Sequence, residues 1–416
     1  MPNQTGNRPS IAGTIATIRP RAPNVETTPE GVNLPLLALL GRPAVALCCA
    51  VLAACTQPVR PAPVDGGAYW PTYLGDASRA PFVSEVVATD TPQVVWETSV
   101  GPGVRGLPVV AGQVIVAASA DRYIYSVSRV DGSHFWRSKL QGQPFTPLLR
   151  ADEIYAVTEE EGGLYVLHMA EGEELRELEL PSIATPPAIA GDTTYIASQP
   201  GILFAFTSRS DEPVWTARFR RPPLAGPVVV DRHLLYVAHD SLILLDRFSG
   251  LRRAATATSE VLTGEAAARN GTLFAATELG SIIAWRLPDL ERLWTAPGHA
   301  PFVAGPAVAD GVGYAVTGNG HLVRFDTADG SARIVASTGS AAIATPVIVA
   351  NGVLVGDLNG RLHFFDRNGT AIWTVEFDGL LELPVLVYDG RIVVPYYSRK
   401  GAGFASTTHG RLVEMR

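Results

Sequence analysis

The residues of this sequence that could carry chemistry are few, and no catalytic constellation is visible among them. Segment 101–106, GPGVRG, matches a dinucleotide-binding fingerprint, but the residues after it predict a strand where a helix N-terminus must receive the pyrophosphate. The eight histidines lie singly, without a spacing that places two nitrogens on one metal, and the acidic run 159–161 is typical of a solvated turn. No G-x-S-x-G nucleophile elbow occurs. We therefore predict no catalytic residue, no cofactor, no metal site and no enzyme activity.

The three cysteines lie close together near the N-terminus and predict a lipid anchor. Cys48, Cys49 and Cys55 belong to an apolar stretch whose last uninterrupted run, 44–54, is too short to span a bilayer comfortably. The letters LAAC that end at Cys55 resemble a bacterial lipobox, in which the cysteine thiol is lipidated after cleavage. Thr56 in place of Asp resembles the lipoproteins that are sorted to the outer membrane. A poor transmembrane anchor with an incidental cysteine is the weaker alternative.

Composition favours an all-β chain and argues against a nucleic-acid partner. The 416 residues include 40 Gly and 32 Pro while only 18% are charged, which suits short strands and tight turns better than surface helices. The formal net charge is −7, whereas proteins that bind nucleic acid carry basic surfaces. No cysteine follows Cys55, so no disulfide, thiolate metal site or cysteine nucleophile is expected in the body of the protein.

A repeat of about forty residues organises the chain from residue 107 onward. Eight segments share the pattern of LPVVAGQVIVAAS at 107 and TPVIVANGVLVGD at 345. Solenoid repeats of this length require helical periodicity, and none is sustained across two turns. The second residue of each segment recurs at intervals of 38 to 41 and is proline in every copy except one: Pro108, Pro147, Pro187, Pro227, Glu265, Pro306, Pro346 and Pro384.

Each unit predicts four strands, which is the content of one propeller blade. An alternating strand meets a turn such as Asn351-Gly352, a second apolar strand follows, and a glycine such as Gly360 opens the third strand. We expect an all-β fold, an eight-bladed β-propeller of four-stranded antiparallel blades, in which indoles of the fourth strands pack one blade on the next. The tryptophans recur in alternate units, 79 residues apart: Trp136, Trp215, Trp294 and Trp373.

The last unit lacks a fourth strand, and the sequence supplies one upstream. Segment 93–100, QVVWETSV, has the fourth-strand pattern and precedes the first blade, so we expect it to pair with the last blade and close the ring. Segment 398–408 is expected to lengthen the loop before the third strand of that blade. The predicted organisation is a leader and lipoprotein signal at 1–55, a flexible Pro-rich tether at 56–69 and the propeller at 70–416.

The order of Pro-led strand, Asn-Gly or Asp-Gly turn, Gly-led strand and Trp strand resembles the PQQ-like propeller repeat. Segment 70–76, WPTYLGD, shares this resemblance, and among lipoproteins with the repeat the chain resembles the BamB family of outer-membrane β-barrel assembly factors. The resemblance implies a non-catalytic scaffold that is lipid-anchored at the periplasmic face of the outer membrane and docks on the barrel-inserting subunit. The chain departs from that family at loop 221–226, RPPLAG, which lacks the LRG-type docking motif.

The residues predicted to bind a protein partner are Arg220, Arg221 and Glu260. The two arginines are expected in a loop after an outer strand, and the pair 252–253 is expected in a similar place. Glu260 matches one acidic docking position that the family resemblance implies, while Leu262 stands where a second acid would be expected.

Two other functions stay open at this point. The chain could be a structural propeller subunit of a different envelope complex, respiratory or photosynthetic, because the loops of a propeller and not its fold carry specificity. It could also be a PQQ-dependent dehydrogenase, which shares the repeat but clamps its quinone in the propeller beside a calcium ion. The chain looks short for such an enzyme, and the cysteine pair 48–49 lies in the leader, so it does not replace the adjacent cysteines of those enzymes.

Overall fold

The fold is built from β-strands throughout the part of the chain that a computed structural model describes. That part comprises residues 61–62, 68–159, 162–298, 300–309, 311–400 and 407–416, with the backbone alone described for 68, 69, 399, 400 and 407. No helix in these residues is long and apolar enough to cross a membrane. The predicted leader, the lipidation site at Cys55 and most of the predicted tether lie outside the described residues.

The first four blades follow one another along the chain, and each contributes four antiparallel strands, to which the sheet of blade 1 adds a fifth strand from the N-terminal side. Blade 1 contains β3 (Val109–Ala111), β4 (Val114–Ala118), β5 (Tyr123–Ser128) and β6 (His134–Lys139). Blade 2 contains β7 (Leu148–Arg150), β8 (Glu153–Val157), β9 (Gly163–His168) and β10 (Glu174–Glu179). Blade 3 contains β11 (Ala188–Ala190), β12 (Thr193–Ser198), β13 (Ile202–Thr207) and β14 (Trp215–Arg218). Blade 4 contains β15 (Val228–Val230), β16 (His233–Ala238), β17 (Ser241–Asp246) and β18 (Arg252–Ala257).

Three further blades repeat this plan, and the eighth combines strands from both ends of the chain. Blade 5 contains β19 (Leu262–Arg269), β20 (Thr272–Thr277), β21 (Ile282–Arg286) and β22 (Glu291–Ala296). Blade 6 contains β23 (Ala307–Ala309), β24 (Val312–Val316), β25 (His321–Asp326) and β26 (Ala332–Ser337). Blade 7 contains β27 (Val347–Val349), β28 (Gly352–Gly356), β29 (Arg361–Asp366) and β30 (Ala371–Glu376). Blade 8 contains β32 (Leu386–Tyr388), β33 (Arg391–Lys400), β34 (Thr407–Met415) and β2 (Val94–Ser99), while β1 (Ala68–Trp70) pairs with β3 and β31 (Gly379–Leu380) pairs with β33.

The eight-bladed propeller predicted from the repeat is therefore confirmed, and so is its closure by a strand from the N-terminal side. Strand β2 pairs antiparallel with β34, with Trp96 opposite Glu414 and Ser99 opposite Arg411. Gln93 and Arg416 exchange two backbone hydrogen bonds of 2.8 and 3.0 Å at the end of this ladder. The eighth blade thus has all four strands, and the ring of blades has no open gap.

The prediction of a lengthened loop at 398–408 is wrong for the described residues. Strands β33 and β34 continue as a paired hairpin in which Ser398 lies opposite His409 and Lys400 lies opposite Thr407. Strand β31 pairs with the other side of β33, with Gly379 opposite Ser398. A backbone that extends past the blade needs partners for its N–H and C=O groups, and these two ladders supply them.

The apolar core lies between neighbouring blades. All five residues of β4 are buried, whereas the fourth strands, such as β18, are largely exposed on their outer side. One cluster joins Leu244 of blade 4 to Leu273 and Trp285 of blade 5, and comparable clusters join other blades. Each blade is consequently stabilised by the apolar area that it buries against its neighbours.

Tryptophans of the fourth strands pack alternate blades on their neighbours, as predicted. In blades 1, 3 and 5 the indole N–H donates to a backbone carbonyl of the next blade. The closing strand carries a fifth member of this set, Trp96, which bonds to blade 1, and Trp373 bonds to the segment that precedes the closing strand. The bonds are Trp96 to Arg129 O at 3.0 Å, Trp136 to Met169 O at 3.0 Å, Trp215 to Arg247 O at 3.0 Å, Trp294 to Thr327 O at 3.2 Å and Trp373 to Ala88 O at 3.0 Å.

We expect Gly132→Ala to destabilise the protein because the indole of Trp96 packs directly on this glycine. Gly132 has a φ of +71°, and an added Cβ would lie 2.7 Å from Cε3 of Trp96. Left-handed backbone strain and overpacking should together lower the free energy of unfolding by about 2–4 kcal/mol in urea titrations. The matched control is Gly191→Ala, where φ is +62° but no heavy atom lies within 4 Å of the added Cβ. Equal losses in the two variants would contradict the packing argument.

Candidate functional site

The two faces of the propeller disc differ in which connections they carry. One face carries the loops that join successive blades and the turns between the second and third strands of each blade; we call it the loop face. Backbone bonds tie these two sets together, as in Glu159 N to Gln143 O at 2.9 Å and Leu358 N to Ala341 O at 2.8 Å. Segment 101–106 is one of these connections, between β2 and β3, in agreement with the prediction that it is a loop between blades that a strand follows.

The central channel is crossed by the protein's own chain. The first strand of each blade has one edge toward the channel, and backbone N–H groups on several of these edges donate to carbonyls of residues 71–85, the channel segment. The bonds run from Leu149 to Pro71, from Val229 to Ala77, from Ala268 to Ser78, from Ile348 to Pro81 and from Ala350 to Glu85, with lengths of 2.8–3.0 Å. The segment therefore ties together blades 2, 4, 5 and 7 from the inside.

Arg79 is the buried centre of the channel segment. Its side chain is 1% exposed; Nη2 donates to Pro186 O at 3.0 Å and to Pro187 O at 3.1 Å, and Nε donates to Pro227 O at 3.1 Å. Nη1 lies 3.4 Å from Oε2 of Glu265. Three blades thus converge on one guanidinium.

Glu265 is also the one repeat position at which the proline is replaced. Burial raises the pKa of its carboxyl, while the charge of Arg79 acts in the opposite direction. An unpaired carboxylate at this depth would be costly, so the substitution in the repeat is explained by the arginine that comes from the channel segment. The missing proline at position 265 is the feature of the sequence that could have indicated this pair.

Two cavities beside the channel segment are both small. Cavities of about 150 and about 230 Å³ lie against the channel segment, the first beside Tyr73 and Glu265 and the second beside Trp70 and Tyr388. Pockets that enclose a cofactor-sized ligand usually measure about 300–1,000 Å³. In the described residues no three His, Cys, Asp or Glu side chains are grouped so that they could hold a metal ion. The described channel residues therefore do not fit a quinone clamped beside calcium.

A groove with a volume of about 670 Å³ lies between blades 3 and 4. Its lining includes four arginines, Arg218, Arg220, Arg221 and Arg252, and one carboxylate, Asp240. Asp240 lies 3.0 Å from the guanidinium of Arg221, and the four arginines exceed the single carboxylate of the lining by three positive charges. We call this the arginine groove.

The local sequence explains why a groove forms here. Strand β14 has only four residues, whereas β18 has six, and Pro222 and Pro223 prevent the chain after β14 from continuing as a paired strand. The wall on the blade 4 side includes the small residues Ala255 and Ala257 of β18. A short strand opposite small side chains leaves the space between the two blades open.

The floor of the arginine groove is rigid and aromatic. The rings of Phe219 and Tyr236 are stacked with centroids 4.0 Å apart. The hydroxyl of Tyr236 donates to Arg221 O at 2.6 Å, which holds the loop after β14 against blade 4. Burial raises the pKa of Tyr236, so its hydroxyl stays protonated and keeps donating across the physiological range.

The structure brings only part of the predicted partner-binding set together. Arg220 and Arg221 are exposed and line the groove, whereas Glu260 does not line it. The carboxylate of Glu260 instead accepts hydrogen bonds from the hydroxyls of Thr277 and Ser281 at 2.5 and 3.0 Å, which fixes the neighbouring turn of blade 5.

Three further observations concern charged residues. The pair 252–253 does not follow an outer strand as predicted but begins one, β18; Arg252 lines the groove and Arg253 lies 3.1 Å from Asp246. Of the acidic run, Glu159 pairs with Arg105, and residues 160–161 lie outside the described part. Arg218 was missed, although its position two residues before Arg220 could have suggested it.

Comparison with known proteins separates two groups that share this architecture. A family model described as outer membrane protein assembly factor BamB matches residues 82–256 and 252–374, which together exceed half of the chain. BamB of Burkholderia pseudomallei (strain K96243) is 25% identical over 350 residues, which cover 77% of this chain and 90% of that protein. The crystal structure of BamB from Moraxella catarrhalis matches with a TM-score of 0.62 at 16% identity, over 78% of this chain and 100% of that one. The quinohemoprotein alcohol dehydrogenase from Comamonas testosteroni matches with a TM-score of 0.64 at 11% identity, over 83% of this chain and 80% of that one.

The structural likeness alone does not choose between an assembly factor and a dehydrogenase, because both superimpose about equally well. At these identities it shows the shared propeller fold and no more. The match to the family model is a match of sequence, and it runs from within the channel segment to blade 7. The family resemblance predicted from the repeats is thereby confirmed. The chain belongs to the BamB family of outer membrane protein assembly factors.

Proposed function

We propose that this protein is a non-catalytic scaffold in the assembly of outer-membrane proteins. The observation that carries the proposal is the central channel, which the chain fills with its own residues 71–85 around the Arg79–Glu265 pair. A propeller that used the channel for redox chemistry would need that space for a cofactor. Membership of the BamB family and the related proteins named as outer membrane protein assembly factors support the same conclusion.

The arginine groove is the docking site that we propose for the partner. Residues 207–257 hold eight arginines against five acidic residues, although the whole chain has a net charge of −7. A basic surface on an acidic protein steers and orients a partner of complementary charge. The groove adds a preformed aromatic floor, so little conformational entropy is lost when a segment binds there.

We further propose that the scaffold acts at the periplasmic face of the outer membrane and that a lipid on Cys55 holds it there. The partner in this proposal is an envelope protein, and the family name points to the barrel-inserting subunit of the assembly machinery. This extends the comparison from related proteins to the present chain.

A site-specific crosslink would test the docking site. A photoreactive phenylalanine analogue at Ala255, which is exposed in the arginine groove, should crosslink to one envelope protein in intact cells. The matched control is the same analogue at Ile334, which is 42% exposed on the corresponding fourth strand of blade 6. Capture of the barrel-inserting subunit from position 255 alone supports the proposal. Capture of a respiratory or photosynthetic complex would replace it with the alternative subunit function, and equal products from both positions would refute the groove as the site.

For the anchor, we expect Cys55→Ser to release the protein from the membrane or leave it unprocessed. Lipidation needs the sulfur of this cysteine, and a serine hydroxyl does not replace it. Membrane fractionation and the intact mass of the mature protein check the result, with Cys49→Ser as the control that keeps the lipidated residue. Membrane retention and an unchanged lipid mass in the Cys55 variant would contradict the lipoprotein prediction.

A further inference from the structure

The mouth of the central channel on the loop face contains a second, chemically different pocket. This is the cavity of about 150 Å³ beside Tyr73. Loops entering blades 4 to 8 surround it, so the pocket is a product of the ring and belongs to no single blade. The lining residues that matter for binding are Tyr73, Leu224, Glu265, Val303, Ile343 and Glu382.

The walls of this pocket are apolar, and its rim is exposed. Val303 and Ile343 retain 44% and 38% of their surface, although both are large hydrophobic side chains next to a cavity. Leu224 is half-buried on the blade 4 side. A ligand group with an aliphatic stem would cover these side chains and remove their apolar surface from water.

The charge inside the pocket is negative and incompletely paired. Of the two carboxylates, Glu265 is held by Arg79 at 3.4 Å. Glu382 is half-buried and, within the described residues, has no hydrogen bond or ion pair. The ring of Tyr73 already has the guanidinium of Arg79 over it, 5.3 Å from the ring centroid, so Glu382 is the carboxylate of this pocket that an added cation would stabilise.

The volume limits what can enter. A space of about 150 Å³ corresponds to roughly five water molecules, each of which occupies about 30 Å³ in the liquid. This is enough for one long side chain and too little for a cofactor-sized ligand. Among side chains, arginine combines an aliphatic stem with a planar cation that pairs with a carboxylate through two parallel hydrogen bonds.

We propose that the channel mouth binds a single arginine side chain that a protein partner inserts from the loop face, with its stem between Val303 and Ile343 and its guanidinium against Glu382. This site differs from the arginine groove in charge, location and the group that it accepts. The two proposals can therefore be tested separately, and the failure of one would not refute the other.

A titration of the full-length protein with N-acetyl-arginine amide tests the proposal. The δ1 methyl group of Ile343, identified by its loss in Ile343→Val, reports binding in a methyl NMR spectrum. We expect a saturable shift of this signal in the low millimolar range, because one side chain supplies few contacts. N-acetyl-citrulline amide, which has the same shape but no charge, should bind at least tenfold more weakly.

Two variants complete the design. Glu382→Gln should weaken binding of the arginine amide at least tenfold while the melting temperature stays unchanged, because this carboxylate has no partner in the described residues. Glu278→Gln, an exposed carboxylate on the same face but outside the pocket, should leave binding within a factor of two. Equal binding of the two amides, equal loss in the two variants, or the absence of a saturable Ile343 shift would overturn the proposal.

Discussion

Replacing residues 93–100 with a glycine-serine linker of equal length should strongly destabilise the propeller and cause aggregation. The linker preserves chain connectivity but removes β2, the outer strand of blade 8, and with it the buried side chain of Trp96, which is 7% exposed. Loss of a buried tryptophan alone costs about 3–5 kcal/mol. The freed edge of β34 then presents unpaired N–H and C=O groups to other molecules.

Thermal unfolding and light scattering would measure this effect. Trp96→Ala is the graded comparison, and it should lose a large part of the stability without the aggregation, because the strand backbone remains. Thr98→Ala is the mild control, since this partly exposed residue contributes one hydrogen bond, to His134 at 3.2 Å. An unchanged melting curve for the linker variant would show that the ring closes by another strand.

Arg79→Met should lower the free energy of unfolding by about 3–5 kcal/mol at neutral pH, the usual cost of breaking a buried ion pair from one side. Methionine keeps the apolar stem but leaves the Glu265 carboxylate without its cation and three backbone carbonyls without a donor. Urea titration at pH 7 is the measurement. A loss below about 1 kcal/mol would mean that the pair is replaceable by solvent.

The pH dependence of the stability loss and a second substitution distinguish the effect of the lost charge from the effect of the lost packing. Burial holds the pKa of Glu265 above its unfolded value, so the folded state gains stability as the pH falls and this carboxyl is protonated. The defect of Arg79→Met should therefore be smaller near pH 5 than at pH 7. Glu265→Gln in the Arg79→Met background should recover part of the loss, while the unmet carbonyls keep the double variant below the native protein. A defect that is independent of pH would contradict the charge argument.

The fold was predictable because each of its signals is local. Strand alternation, the turns and the proline that opens each unit repeat within forty residues, and a blade needs only its own unit to satisfy its hydrogen bonds. The closing strand was also predictable, since 93–100 has the same pattern as the fourth strands and the last unit lacks one. The hairpin of β33 and β34 was not, because 398–408 has no alternation that distinguishes a paired strand from a loop, and pairing with β31 decides its state.

The candidate site depends on contacts between different repeat units. The amino-acid sequence predicts these contacts only in part. Repetition along the chain predicts the blades, their number, the inter-blade tryptophans and the membership of the PQQ-like repeat, because these follow from periodicity. The packing of the blades around an axis places Arg79 beside Glu265, 186 positions later in the chain, and places Arg218 across a groove from Arg252. It also places Glu260 outside the arginine groove, where the hydroxyls of Thr277 and Ser281 in blade 5 donate to its carboxylate. Long-range geometry of this kind is set by how the ring closes and how far each outer strand extends, so residues that look independent in the sequence become a single charged surface or a buried ion pair in the folded protein.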